Sequence, residues 1–109
     1  MRRKKYKIEY LPAADQDLAD IITYIAVDLA VPMAAANLLE KVERAITLLE
    51  TFPFAYAVYQ PAGFQTQDMP FEFRSLVVGS YVIFYYVTDN AVTIARVVYA
   101  GRDMSDVLS

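Results

Sequence analysis

Residues 92–106 read VTIARVVYAGRDMSD, an apolar strand with Arg96 in its middle that breaks at Gly101 into Arg102-Asp103. A charge inside a strand is costly unless it is paired or faces water. Together with Arg74, these are the only basic residues beyond Arg44. Guanidinium groups grip phosphate or carboxylate through paired hydrogen bonds, and tyrosines such as Tyr81 and Tyr85 can stack a base. The chemistry on offer is therefore that of a phosphate backbone, a nucleobase or an acidic peptide. The chain has no cysteine and no histidine. Disulfides, thiol nucleophiles and the usual zinc and triad chemistries are excluded, and no metal or cofactor is expected.

The elements that position these residues follow from turn signals. From Phe73 onward the hydrophobic period is that of strands, with Gly79-Ser80 and Asp89-Asn90 as two-residue hairpin turns. The first turn sets Val78 opposite Tyr81, Leu76 opposite Ile83 and Arg74 opposite Tyr85. The second sets Tyr85 opposite Ile94, Ile83 opposite Arg96 and Tyr81 opposite Val98. Opposed residues share a face. One face is thus expected to hold Arg74, Leu76, Tyr81, Ile83, Tyr85, Ile94, Arg96 and Val98, with Arg102 on the same side. The uncharged opposite face, with Val77, Val82, Phe84, Ala95 and Val97, is the expected seat of the helices. The arginine face then stays open for a partner, through Arg74, Tyr81, Ile83, Tyr85, Arg96 and Arg102.

Ahead of the strands lies a helical half. KYKIEYL alternates as a first strand, Lys5 to Tyr10. Pro12 suits a first helical turn, and Asp15 and Asp17 favour its dipole. Leu18, Ile21, Ile22, Ile25 and Leu29 form one apolar stripe. Pro32 starts a second helix with Ala35, Leu38, Leu39, Val42, Ile46 and Leu49 on its stripe, Glu40 and Arg44 as an i,i+4 pair, and Pro53 closing it. Helices this close in sequence form an antiparallel hairpin. Residues 54–72 make a long connection, a length that often carries function.

At 109 residues the chain reads as one domain, residues 1–109. Its apolar share, 57%, is high for a soluble domain and hints at covered surface. MRRKKYKIEY lacks the apolar core of a signal peptide, and LVVGSYVIFYYV is too short for a bilayer. A soluble cytoplasmic protein without membrane contact is expected. Net charge is −3, and four of the ten basic residues are Arg2, Arg3, Lys4 and Lys5. The remainder is strongly acidic, which argues against a broad grip on nucleic acid.

In order and in detail, the chain resembles the RelE/ParE superfamily of toxins from type II toxin–antitoxin modules. The resemblance rests on LPAADQDLADIITYIA opening the first helix, FRSLVVGSYVIFYYV across the first hairpin and VTIARVVYAGRDM at the end. It implies an α+β fold: an N-terminal strand, an antiparallel helix hairpin, then a three-stranded antiparallel meander with the helices on one face of the sheet. It also implies a toxin neutralised by a cognate antitoxin. The first expectation is inhibition of translation by ribosome-dependent mRNA cleavage. The alternative is a non-catalytic binding protein, either a DNA gyrase inhibitor or a decayed toxin that keeps its antitoxin.

For the nuclease, the resemblance carries phosphate-orienting roles onto Arg74 and Arg102. With no histidine, Glu72, Tyr81 and Tyr85 are the candidates for general base, Glu72 and Tyr85 completing the expected catalytic set. Two departures stand against it. Residues 52–73 hold no basic residue, and Met104 or Leu108 stands where some members carry a catalytic tyrosine. Each lost phosphate-orienting charge removes ~3 kcal/mol of transition-state stabilisation. A structural role competes at each position. Arg74 and Arg102 can pair with Glu72, Asp103 or Asp106, Arg96 can bridge sheet and C-terminal tail, and the tyrosines can simply pack.

Overall fold

The computed structural model describes residues 4–59, 71–104, 107 and 108. Strand β1 (Lys7–Tyr10) leads into helix α1 (Pro12–Thr23), a π-helical turn (Tyr24–Asp28) and helix α2 (Pro32–Leu48). The meander comes next as β2 (Arg74–Val78), β3 (Tyr81–Val87) and β4 (Ala91–Tyr99). The sheet order is β1-β4-β3-β2, with β1 parallel to β4 and the other pairs antiparallel. This is the expected α+β architecture, helices packed on one face of the sheet. Of the long connection, residues 60–70 lie outside the described residues. Among the described residues no helix is long and apolar enough to cross a membrane.

Pro12 explains why β1 is short. The Leu11 N–H makes the last bond to β4, on the Ile94 carbonyl at 2.9 Å. Proline has no N–H to continue the ladder and its fixed φ suits the first helical turn, so the chain swings into α1. Among the described residues, the far half of β4 is thereby left without a strand neighbour on that side. Both hairpin turns fall where expected. Gly79 has φ +58°, the sign required at the first position of a primed turn.

The register of β2 on β3 is as expected, Arg74 opposite Tyr85 and Val78 opposite Tyr81. On β4 it holds as far as Tyr85 opposite Ile94 and then slips, so that Phe84, not Ile83, faces Arg96. Ala95 is the extra residue of a β-bulge, and every side chain beyond it changes face. Arg96 joins Phe84, while Val97 moves to the face of Ile83 and Tyr85.

That slip overturns the expected assignment of faces. The helices, through Ala14, Val42, Ile46 and Leu49, cover Leu76, Val78, Ile83, Tyr85, Val92, Ile94 and Val97. The face thought to stay open is the main core. The bulge takes Arg96 off this face, and Arg74 sits at its end, so no charge remains inside it. The other face has its own cover: Phe84, Val98 and Val107 pack with Tyr59, Val82, Met104 and Leu108.

The helix stripes are borne out by Leu18 and Ile21 packing on the core and by buried Ala35, Val42, Ile46 and Leu49. Leu29 departs from its stripe and is 51% exposed. The π-turn adds a residue to the winding there, with the Leu29 N–H bonding the Tyr24 carbonyl at 2.9 Å, and rotates the residues after it off the core face.

Candidate functional site

Arg74 opens β2 on the helix-side face, and its guanidinium is held in place. Nη1 donates to the Tyr56 carbonyl at 2.6 Å, Nη2 lies 3.4 Å from Glu72 Oε1, and the group stands 5.1 Å from the centre of the Phe54 ring. The side chain is 17% exposed, that of Glu72 59%. These contacts fasten segment 54–59 along the edge of β2, where the Tyr59 N–H also bonds the Phe73 carbonyl at 2.7 Å.

Tyr85 has no exposed surface. Its hydroxyl donates to the Pro53 carbonyl at 2.8 Å, and burial pushes its pKa up to about 12 from the ordinary 10.0. Ile83 is likewise fully buried. The expectation that Ile83 and Tyr85 line an open face therefore fails, because the helices lie on them. Tyr81 is half-buried at the other end of the strand, its ring edge-on to Tyr99 at 6.2 Å.

Arg96 turns to the edge of the sheet. Its Nε and Nη2 donate to Asp17 Oδ2 and Oδ1 at 2.8 and 3.0 Å, and its Nη1 donates to the Val107 carbonyl at 3.3 Å. The same Asp17 carboxylate accepts the Val97 N–H at 2.9 Å. Asp17 thus takes the place that β1 vacates beside β4, satisfying a strand N–H and the neighbouring guanidinium together. Arg96 joins sheet, α1 and C-terminal tail. It is no open-face contact.

Arg102 is exposed in the turn after β4, where its N–H bonds the Tyr99 carbonyl at 3.0 Å. Arg74 and the end of β4 stand at opposite ends of the sheet. The four residue steps between the Arg74 and Val78 levels amount to ~14 Å. The structure does not bring Arg74, Tyr85 and Arg102 onto one scissile group. Asp106, a candidate ion-pair partner, lies outside the described residues.

What the arginines do not form, the edge of β4 does. A cleft of about 530 Å³ opens between α1 and the end of β4, lined among others by Asp20, Ile21, Tyr24, Tyr81, Tyr99 and Arg102. Asp17, Asp20, Ile21 and Tyr24 repeat at i, i+3, i+4 and i+7, one helical stripe. Tyr24 and Tyr99 are 51% and 58% exposed. Gly101 permits the arrangement, because a Cβ there would run into the Tyr99 ring. Sequence reasoning missed Asp17, Asp20, Tyr24 and Tyr99. One signal was available: a strand arginine needs an acid, and residues 12–28 carry four aspartates and no basic residue.

Comparisons with known proteins agree with this architecture. A family model described as the ParE toxin of the type II toxin–antitoxin system parDE matches residues 8–104. Among solved structures, the chain is similar to the chromosomal ParDE toxin–antitoxin system from P. aeruginosa, with TM-score 0.66 and 15% identity over 87% of this chain and 96% of that one. It is also similar to the RelBE2 toxin–antitoxin complex from Mycobacterium tuberculosis, with TM-score 0.58 and 20% identity over 90% and 94%. At these identities the likeness is one of fold. No curated protein matches the chain.

Proposed function

The chain belongs to the ParE toxin family of type II toxin–antitoxin systems, and from that premise we propose that it acts by binding DNA gyrase and is held inactive by a cognate antitoxin. The observation that carries the choice of target is the dispersal of the expected catalytic set. Arg74 is tied to the Tyr56 carbonyl, Tyr85 is buried with a phenol that keeps its proton to about pH 12, and Arg102 stands at the far end of the sheet. A general base must reach the proton it takes, and phosphate clamps must converge on one group. Cleavage of mRNA draws no support from this arrangement, and the acidic charge balance speaks against a ribosomal contact surface. A target such as gyrase places the protein in the cytosol.

Induction of the chain alone in a bacterium, with DNA damage and radiolabelled methionine incorporation monitored in parallel, tests the reading. The expected course is slowed growth with a DNA-damage response while translation continues, relieved by coexpression of the adjoining reading frame. Purified protein is expected to inhibit supercoiling by purified gyrase. Early loss of translation with cleaved mRNA would overturn the proposal in favour of the nuclease, and unimpaired growth at high soluble expression in favour of a decayed toxin.

A further inference from the structure

We propose that the cleft between α1 and the end of β4 seats an apolar, basic peptide segment of the antitoxin, an inference that rests on the antitoxin partnership of the proposed function. Its form points to a peptide. The cleft opens along a strand edge, and antiparallel alternation fixes which backbone groups face it. Val97 turns its N–H outward to Asp17 and Ala100 turns its N–H inward to the Ser80 carbonyl at 2.8 Å, so the Tyr99 N–H is directed to the cleft side. A strand-edge N–H is a natural donor to an incoming backbone carbonyl.

The apolar surface also exceeds what a small ligand would cover. Besides Tyr24 and Tyr99 at the cleft, the helix hairpin beyond Tyr24 presents Val27 and Leu29, which are 68% and 51% exposed. A segment that lays one aliphatic or aromatic side chain between Tyr24 and Tyr99 and continues along the π-turn would bury this surface.

Charge sets the rest of the partner's chemistry. The helix wall and its continuation hold only acidic charges, Asp15, Asp17, Asp20 and Asp28. Asp17 is neutralised by Arg96, and Asp15 acts on Tyr10 on another side of the helix. Asp20 lines the cleft, where it accepts a hydrogen bond from the neutral amide of Gln16 at 2.8 Å. Asp28 comes next, beyond Tyr24. On the opposite wall Arg102 lines the cleft, and Asp103 follows it in sequence. A lysine or arginine set on Asp20, flanked by apolar residues, complements this cleft. An acidic segment would meet Asp20 in the cleft, and the guanidinium groups of Arg74 and Arg96 are engaged within the fold.

The test uses the full chain and the product of the adjoining reading frame, purified and titrated by calorimetry at low and moderate salt. Asp20→Lys and Tyr24→Ala are each expected to weaken the complex tenfold or more, the first with a smaller salt dependence than wild type. Asp20→Glu is expected to stay close to wild type, as is the distant charge reversal Glu40→Lys. Circular dichroism checks the fold of each variant. A complex that Asp20→Lys leaves unchanged overturns the assignment of the cleft, and one that it tightens shows an acidic partner. No complex with the wild-type chain would instead remove the antitoxin reading itself.

Discussion

Asp17 accepts from both the Val97 N–H and the Arg96 guanidinium, at 2.9, 2.8 and 3.0 Å. Its side chain is 15% exposed and that of Arg96 22%. In such a partly shielded place, removing one partner leaves the other charge with little water, whereas removing both together does not. Asp17→Asn is expected to cost about 2–3 kcal/mol. Arg96→Met in that background should recover part of the loss, as urea denaturation of the four proteins of the cycle will read. A loss in the double variant equal to the sum of the singles would show that the two residues do not act as a pair.

Tyr85 makes a second prediction at this scale. Burial raises its pKa from 10.0 to about 12, so on raising the pH the unfolded chain gives up this proton first. The contribution is complete below pH 10 and is lost as the pH rises through 12, on the order of 2 kcal/mol. Urea midpoints between pH 9 and 12 should therefore fall more steeply for wild type than for Tyr85→Phe. Equal slopes would mean that the phenol is not protected. Because the hydroxyl serves the Pro53 carbonyl, Tyr85→Phe should leave growth inhibition intact.

Among the elements, the passage from α1 to α2 holds the backbone irregularities. The π-turn ends at Asp28, and two residues later Ala30 takes φ +56°, the left-handed region where a Cβ crowds the next carbonyl. Glycine relieves that crowding at some cost in unfolded-state entropy. Ala30→Gly is therefore expected to stabilise the protein by ~0.5–1 kcal/mol, read as a rise of a few degrees in Tm. A fall in Tm would show that the side chain of Ala30 is worth more than its strain. The bulge at Ala95 has the larger consequence. One extra residue sends Arg96 to the edge where Asp17 waits and Val97 into the core, which lets a strand that carries a charge lie under a helix hairpin.

For the molecule as a whole, the arrangement explains the 57% apolar composition. The sheet is covered on both faces, by the helix hairpin and by the cluster of Met104, Val107 and Leu108, so it takes up apolar residues on both sides. Part of the surplus stands outside along the hairpin end, at Tyr24, Val27, Leu29 and Met33. That is where covered surface is expected in a toxin kept with a partner, and it adjoins the cleft beside β4. The sheet face expected to carry the arginines, by contrast, is interior.

The sequence alone determined the element order, the helix hairpin with its buried stripes, both hairpin turns and the register as far as Tyr85 and Ile94, because these arise from local chemistry. Proline starts a helix, Gly79 takes the positive φ, and periodicity selects a face. The family likeness rested on the same order. Only the tertiary structure decided which sheet face the helices cover, and with it the fate of every candidate site residue. Ala95 carries no glycine or asparagine to announce a bulge, and one extra residue inverts the face of every later position in the strand. Arg96 looked like a charge in need of an open surface because its acid, Asp17, lies 79 residues away in sequence. Two residues that far apart meet only when the β1 lane ends at Pro12 and α1 swings across the vacated edge. Strand pairing is set by turns, but the packing of layers is set by the summed fit of side chains from distant segments.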